Sequence, residues 1–133
     1  MNDDLAAFLD ARTIGVLGTT RPNGTPRLAT VYFVRGGDTV YISTERTRGK
    51  ASDVAHTGVA SLCVNGSEAP YPSVALEGRA ELLESGAGVW SSTIFERMTG
   101  RPLDTPMADE ALAEIGRVVI ALTVERITGR AWF

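Results

Sequence analysis

Three strand-like runs stand in series with only short turns between them, and this spacing most restricts what the chain can become. Thr13–Thr20 is the first run. Arg21–Pro26 follows and carries Asn23-Gly24, a dipeptide suited to the positive φ angles of a tight hairpin. Arg27–Val34 is the second run, Gly36-Gly37-Asp38 turns the chain, and Thr39–Thr44 is the third. Connections this short join antiparallel neighbours, because a parallel crossover needs a dozen residues or more. The spacing predicts a β-meander.

The remaining segments extend it. Asn2 or Asp3 can cap a first helix in which Leu5, Phe8 and Leu9 share one face and which Arg12 closes. Thr47–His56 has a helical pattern, with Ala51, Val54 and Ala55 on its apolar side and Gly58 as its stop. Val59–Asn65 reads as a fourth strand. After the loop to Pro72, Val74, Leu76, Gly78, Ala80 and Leu82 alternate with Glu77, Arg79 and Glu81, giving a fifth strand with one wet face. Val89–Met98 has helical spacing through Trp90, Ile94 and Met98 and stops at Gly100. Thr105-Pro106 supplies a cap and first-turn proline for a short helix to about Glu114, and Gly116–Glu125 is a last long strand.

Six strands joined mostly by hairpins predict a mainly β, six-stranded antiparallel barrel with short flanking helices, one domain over residues 1–133. Several strands are apolar on both faces. One face of such a strand fills the lumen, and the other needs covering by helices or a second subunit, so a homodimer is the simplest arrangement.

Net charge is −3, which leaves no broad basic field for nucleic acid or anionic lipid. One cysteine and one histidine cannot build a disulfide framework or a zinc site. Cys63 reads as a buried core residue and His56 as a helix C-terminal one. The acidic start Met1–Asp4 and the lack of any membrane-length apolar run lead to the expectation of a cytoplasmic protein with no secretory leader.

Against twelve arginines there is a single lysine, Lys50. It follows the third strand in the order Ser43, Thr44, Arg46, Arg48, Lys50 and then a helix. Hydroxyls and cations meeting at a helix start, where free N–H groups already favour negative charge, are the parts of an anion site. A solvated basic turn is the plain alternative.

In order and spacing the chain resembles the pyridoxamine-phosphate-oxidase-like split β-barrels, and within them the flavin- and deazaflavin-dependent reductases. The resemblance runs over nearly the whole length. It rests on Ile14-Gly-Val-Leu-Gly-Thr19, Asn23-Gly24-Thr25-Pro26, Tyr41-Ile-Ser-Thr44 with Arg48-Gly49-Lys50, Leu76-Glu77-Gly78-Arg79-Ala80, Arg117-Val118-Val119-Ile120 and Glu125-Arg126. It implies a dimer with two cofactors at the subunit interface. Arg48 and Lys50 would hold the phosphate, with Ser43 and Thr44 as hydroxyl donors and Arg46 assisting. Ala29, Thr30, Val31 and Tyr32 would line the ring, partly through backbone groups.

The oxidases proper place Arg and Lys adjacent here, whereas Gly49 separates Arg48 from Lys50. That spacing resembles the branch using coenzyme F420, a deazaflavin with a phosphate and a glutamate tail; FMN ranks second and haem behind both. Arg21, Arg27, Arg46 and Arg97 are candidates for the tail. The activity implied is hydride transfer to an unsaturated or heteroaromatic small molecule. An FMN-dependent oxidase or reductase is the alternative, and a non-catalytic flavin or deazaflavin carrier the rival from another class.

Such chemistry needs no side-chain nucleophile, since the cofactor carries the reactive atom. No catalytic base is named by the sequence; Tyr32, Tyr41 and Tyr71 are the hydroxyls that could give a proton. Trp90 reads first as helix packing, second as an aromatic wall for a ligand, and Trp132 equally as either a wall or a pin for the terminus. Asp53 lies one helical turn from Lys50, spaced for a surface pair with it or for orienting it.

Overall fold

The Asn23-Gly24 turn joins two strands, as its composition predicts. In the computed structural model, which describes residues 1–130, it connects β1 (Ile14–Thr20) to β2 (Pro26–Gly36), with the Arg21 N–H donating to the Thr25 carbonyl at 2.9 Å. The strands β3 (Thr39–Glu45), β4 (Val59–Asn65), β5 (Ser73–Leu82) and β6 (Arg117–Arg130) complete a closed antiparallel barrel in the order β1-β2-β3-β6-β5-β4. Four helices flank it: α1 (Asp3–Asp10), α2 (Gly49–Thr57), α3 (Ala87–Thr99) and α4 (Asp109–Glu114). Trp132 lies outside the described residues.

The lumen is filled by alternate residues of every strand, among them Leu17, Phe33, Ile42, Leu62, Leu76 and Ile120. Leu5 and Leu9 of α1 and Val54 of α2 enter the same core. Asn2 caps α1 by accepting a hydrogen bond from the Leu5 N–H at 2.8 Å. The run in β6 that is apolar on both faces now has a reason. Ile120 and Leu122 point into the lumen, while Val119 packs outside it with Ala87 and Leu112 of α3 and α4. By contrast, Leu28 on the outer face of β2 is 74% exposed, so nothing among the described residues covers it.

β6 runs five residues beyond the expected Glu125. Glu125 and Arg126 are charged because they face outward, and the strand stays paired with β5 as far as Ser73–Arg130. The two strands shift register between Glu77 and Gly78, where a side chain on Gly78 would strike the Thr123 carbonyl. That close approach explains a glycine inside an otherwise alternating strand.

Several expectations need correction. α4 begins at Asp109 and not at Thr105-Pro106, because the preceding residues are bound to α3 instead. The Asp109 carboxylate accepts from the Gly88 N–H at 2.8 Å and the Gly86 N–H at 2.9 Å, and the Met107 N–H donates to Ser92 Oγ at 2.8 Å. Asp109 thus caps α3 from another helix, and these bonds hold its carboxyl below the ordinary range. Met98 is exposed and does not join the buried face of α3. Cys63 is half-buried on the outer side of β4, since the lumen positions there are Leu62 and Val64. α2 starts at Gly49, with Thr47 in the turn before it and Arg48 as its N-cap.

Asp53 makes neither expected contact with Lys50. It is 1% exposed, and its Oδ2 accepts from Arg27 Nε on β2 at 2.7 Å and from Thr19 Oγ1 on β1 at 2.8 Å. Burial alone would push this carboxyl up, but the Arg27 and Thr19 hydrogen bonds and the positive charge of Arg27 and Arg21 hold it below the ordinary carboxylate range. Gly49 permits the arrangement, because a Cβ there would fall on the Arg27 guanidinium. The arginine crosses the helix start over bare backbone to reach Asp53.

A carboxyl with a depressed folded pKa contributes stability above its unfolded pKa of roughly 3.9, and that contribution is lost as pH falls through the folded value. Asp53→Ala is therefore expected to lower the unfolding free energy by about 1.5–3 kcal/mol in urea titrations at neutral pH, with the gap closing in acid. A gap that persists unchanged to strongly acid pH would contradict this. Gly49→Ala should also destabilise the protein, but not in an Arg27→Ala background, where the guanidinium it displaces is already gone.

Candidate functional site

The pairing of β2 with β3 stops at Phe33–Ile42. Beyond that point β2 stays on β1 through Tyr32, Val31 and Thr30, and β3 stays on β6 through Ser43, Thr44 and Glu45. The two strands separate, and a cleft of 330 Å³ opens between them, with the start of α2 at its end. Seven of the nine residues expected at a cofactor site line it: Thr30, Val31, Tyr32, Ser43, Thr44, Arg48 and Lys50. Val31 and Thr44 are buried, while Thr30 and Tyr32 are exposed.

Ala29 and Arg46 do not join them. Ala29 packs against the barrel core. The Arg46 N–H donates to the Gly116 carbonyl at 2.7 Å, and its side chain lines a neighbouring cavity with Leu82, Glu84 and Asp109. Two residues that sequence reading missed, Glu45 and Arg117, complete the cleft. Arg117 opens β6 and is brought to β3 by the Glu45–Arg117 register, a pairing across 72 positions of chain for which no local signal exists.

The cleft is electropositive. Burial lowers the Lys50 pKa first, with Arg48, Arg117 and Arg27 pushing the same way and Glu45 opposing them. Glu45 lies 3.3 Å from Arg48 Nε and 4.0 Å from Arg117 Nη1, so one carboxylate serves several cations. Arg48 caps α2 without a side-chain hydrogen bond, and the Ala51 N–H turns back to the Arg48 carbonyl at 3.1 Å, which leaves the N–H groups of Gly49 and Lys50 at the helix start. Crowded cations at a helix start beside the hydroxyls of Ser43 and Thr44 suit a phosphate.

The arginines considered for a cofactor tail are mostly engaged elsewhere. Arg21 donates to the Pro26 carbonyl and Arg27 to Asp53, while Arg97 donates to the Asp10 and Arg12 carbonyls at 2.8 and 2.7 Å. Of the three tyrosines, Tyr32 is in the cleft. Tyr41 is stacked on Trp90 at 3.9 Å between ring centroids, which makes Trp90 a packing residue, and Tyr71 sits in the exposed loop before β5.

A second cavity of 430 Å³ adjoins the cleft and shares Tyr32, Ser43 and Arg117 with it. Its other walls come from α3, α4 and the segments beside α4: Ile94, Phe95, Leu103, Met107, Leu112 and Ile115. At the junction Ser43 Oγ lies 3.2 Å from Ser91 Oγ and accepts from Arg117 Nη2 at 3.3 Å and Nε at 3.4 Å.

A family model described as pyridoxamine 5'-phosphate oxidase matches residues 1–131. No curated protein matches the sequence. Among solved structures, a conserved hypothetical protein from Mycobacterium tuberculosis is 22% identical with a TM-score of 0.77, covering 98% of this chain and 84% of its own. An F420 reductase is 22% identical with a TM-score of 0.75, covering 96% and 98%. A haem storage protein from Vibrio cholerae is 13% identical with a TM-score of 0.68, covering 96% and 92%. Identities this low show a shared fold.

If Lys50 is the cation that meets an anion, affinity for inorganic phosphate should fall on the alkaline side at a pH below that of an ordinary lysine, because the bound form needs Lys50 charged. Calorimetric titration across pH would show this. An affinity undiminished up to the ordinary lysine range would contradict it.

Proposed function

The chain belongs to the pyridoxamine 5'-phosphate oxidase family; from that premise we propose that it is an oxidoreductase that binds coenzyme F420 and passes hydride to an unsaturated or heteroaromatic small molecule. The observation that carries this reading is the cleft between β2 and β3, lined together by the cations Lys50 and Arg48 and the hydroxyl residues Ser43 and Thr44 at the start of α2. The donor set fits a phosphorylated cofactor.

In this reading Lys50 is a point charge on the phosphate and Arg48 a planar fork beside it, roles that are not interchangeable. Ser43 and Thr44 donate hydroxyl hydrogen bonds. Backbone groups of Thr30 to Tyr32 hold the ring edge, with the Tyr32 side chain at its flank. When bound, the reduced deazaflavin supplies the hydride. The protein's part is to orient the ring toward the adjoining cavity and keep water from it. Leu28, exposed on β2, supports a homodimer in which a second copy closes the cleft.

Preference for F420 over FMN is favoured by Gly49. It spaces Lys50 from Arg48 and leaves room for Arg27, and a similar fold carries the name F420 reductase. FMN would use the same phosphate cleft and is the second reading. Side-by-side fluorescence titrations with F420 and FMN test the choice: tighter F420 binding is expected, and tighter FMN binding would move the protein to flavin chemistry. Turnover of an acceptor by the reduced complex separates an enzyme from a carrier.

Lys50→Ala should weaken F420 binding by roughly tenfold to a hundredfold, equivalent to about 1.5–3 kcal/mol, while thermal unfolding is little changed. Unchanged affinity would remove Lys50 from the site. Leu28→Asp should shift the protein toward monomer in light scattering and weaken F420 binding in parallel; a stable dimer would place the interface elsewhere.

A further inference from the structure

We propose that the cavity beside the cleft takes the acceptor as an apolar body bearing one carboxylate, and that Arg117 is the residue that selects the carboxylate. The cavity's identity as the acceptor site rests on the oxidoreductase reading; the carboxylate preference does not.

The walls of this cavity are unequal. One side is apolar, built from Ile94, Phe95, Leu103, Met107, Leu112 and Ile115. On the other side Tyr32, Ser43, Ser91 and Arg117 converge, next to the cofactor cleft. Ser92, the remaining hydroxyl, is already committed, donating to the Gly88 carbonyl at 2.8 Å and accepting from the Met107 N–H. An apolar pocket with a few polar groups gathered at one place binds a ligand of matching polarity, anchored by that group.

Arg117 has the capacity to be the anchor. A guanidinium carries five N–H donors in a fixed fork. Those of Arg117 have long contacts: 3.3 and 3.4 Å to Ser43 Oγ, and 4.0 Å to Glu45, whose other oxygen faces Arg48. Arg27 and Arg97, by comparison, are held at 2.7–2.8 Å by their partners. The fork is half-exposed at the junction of the two cavities, where a carboxylate could accept two parallel bonds while its apolar body lies along α3.

The probes are 2-naphthoate and its neutral isostere 2-naphthamide, titrated calorimetrically into the full-length protein without cofactor. Naphthoate should bind about tenfold tighter or better. Arg117→Gln should bring naphthoate down to the affinity of the amide while leaving the amide unaffected, a result that a misfolded variant cannot give. Arg117→Lys should restore part of the preference. Inorganic phosphate should not displace naphthoate. Equal affinities for acid and amide, binding of neither, or displacement by phosphate would each overturn the proposal. Because no cofactor takes part, failure here leaves the F420 titration to be judged separately.

Discussion

The organisation of this protein depends on where one ladder of hydrogen bonds stops. β2 and β3 are joined by a tight turn and pair for only four residues each before parting at Phe33 and Ile42. Two strands that part expose backbone groups that would otherwise satisfy each other, and such a gap persists only if each strand is held from its far side. β1 holds β2 and β6 holds β3. The helix that follows β3 fills the end of the gap. Its attachment to the other side is the buried carboxylate of Asp53, which takes Arg27 from β2 and Thr19 from β1 on a single oxygen. The cleft is therefore a consequence of how the barrel is closed, not a depression on its surface.

The same strut shapes the charge at the site. Arg27 is neutralised by Asp53, yet it still raises the potential felt by Lys50, as do Arg48 and Arg117. Gathering like charges destabilises a folded chain unless an anion arrives to relieve them. One carboxylate, Glu45, offsets part of this repulsion. The remainder leaves the cleft electropositive.

Much of the architecture was legible in the sequence because its signals are local. The Asn23-Gly24 turn, the alternation through β5 and the glycine stops at Gly58 and Gly100 each depend on a few neighbouring residues, and strands and helices fell close to where those residues placed them. The cleft lining was legible at Ser43, Thr44, Arg48 and Lys50, where one strand leads into one helix, but not at Glu45 or Arg46 between them. It was not legible where it depends on register. Arg117 reaches the cleft only through the pairing of β6 with β3, and Asp53 leaves Lys50 for an arginine 26 positions earlier. Thr105-Pro106 carried a valid helix-start signal that lost to hydrogen bonds made with α3.

Asp109 has a consequence for how such a barrel diversifies. The outer wall of the apolar cavity is carried by residues between α3 and β6, and this segment is moored to α3 by one carboxylate and one serine hydroxyl. None of those bonds touches the strands that form the cleft between β2 and β3. The segment can therefore lengthen, shorten or change its side chains over evolutionary time while Asp109 and Ser92 keep it anchored. The strands that line the cleft and the segment that walls the apolar cavity are thus fastened by separate bonds, and the two spaces meet at Tyr32, Ser43 and Arg117.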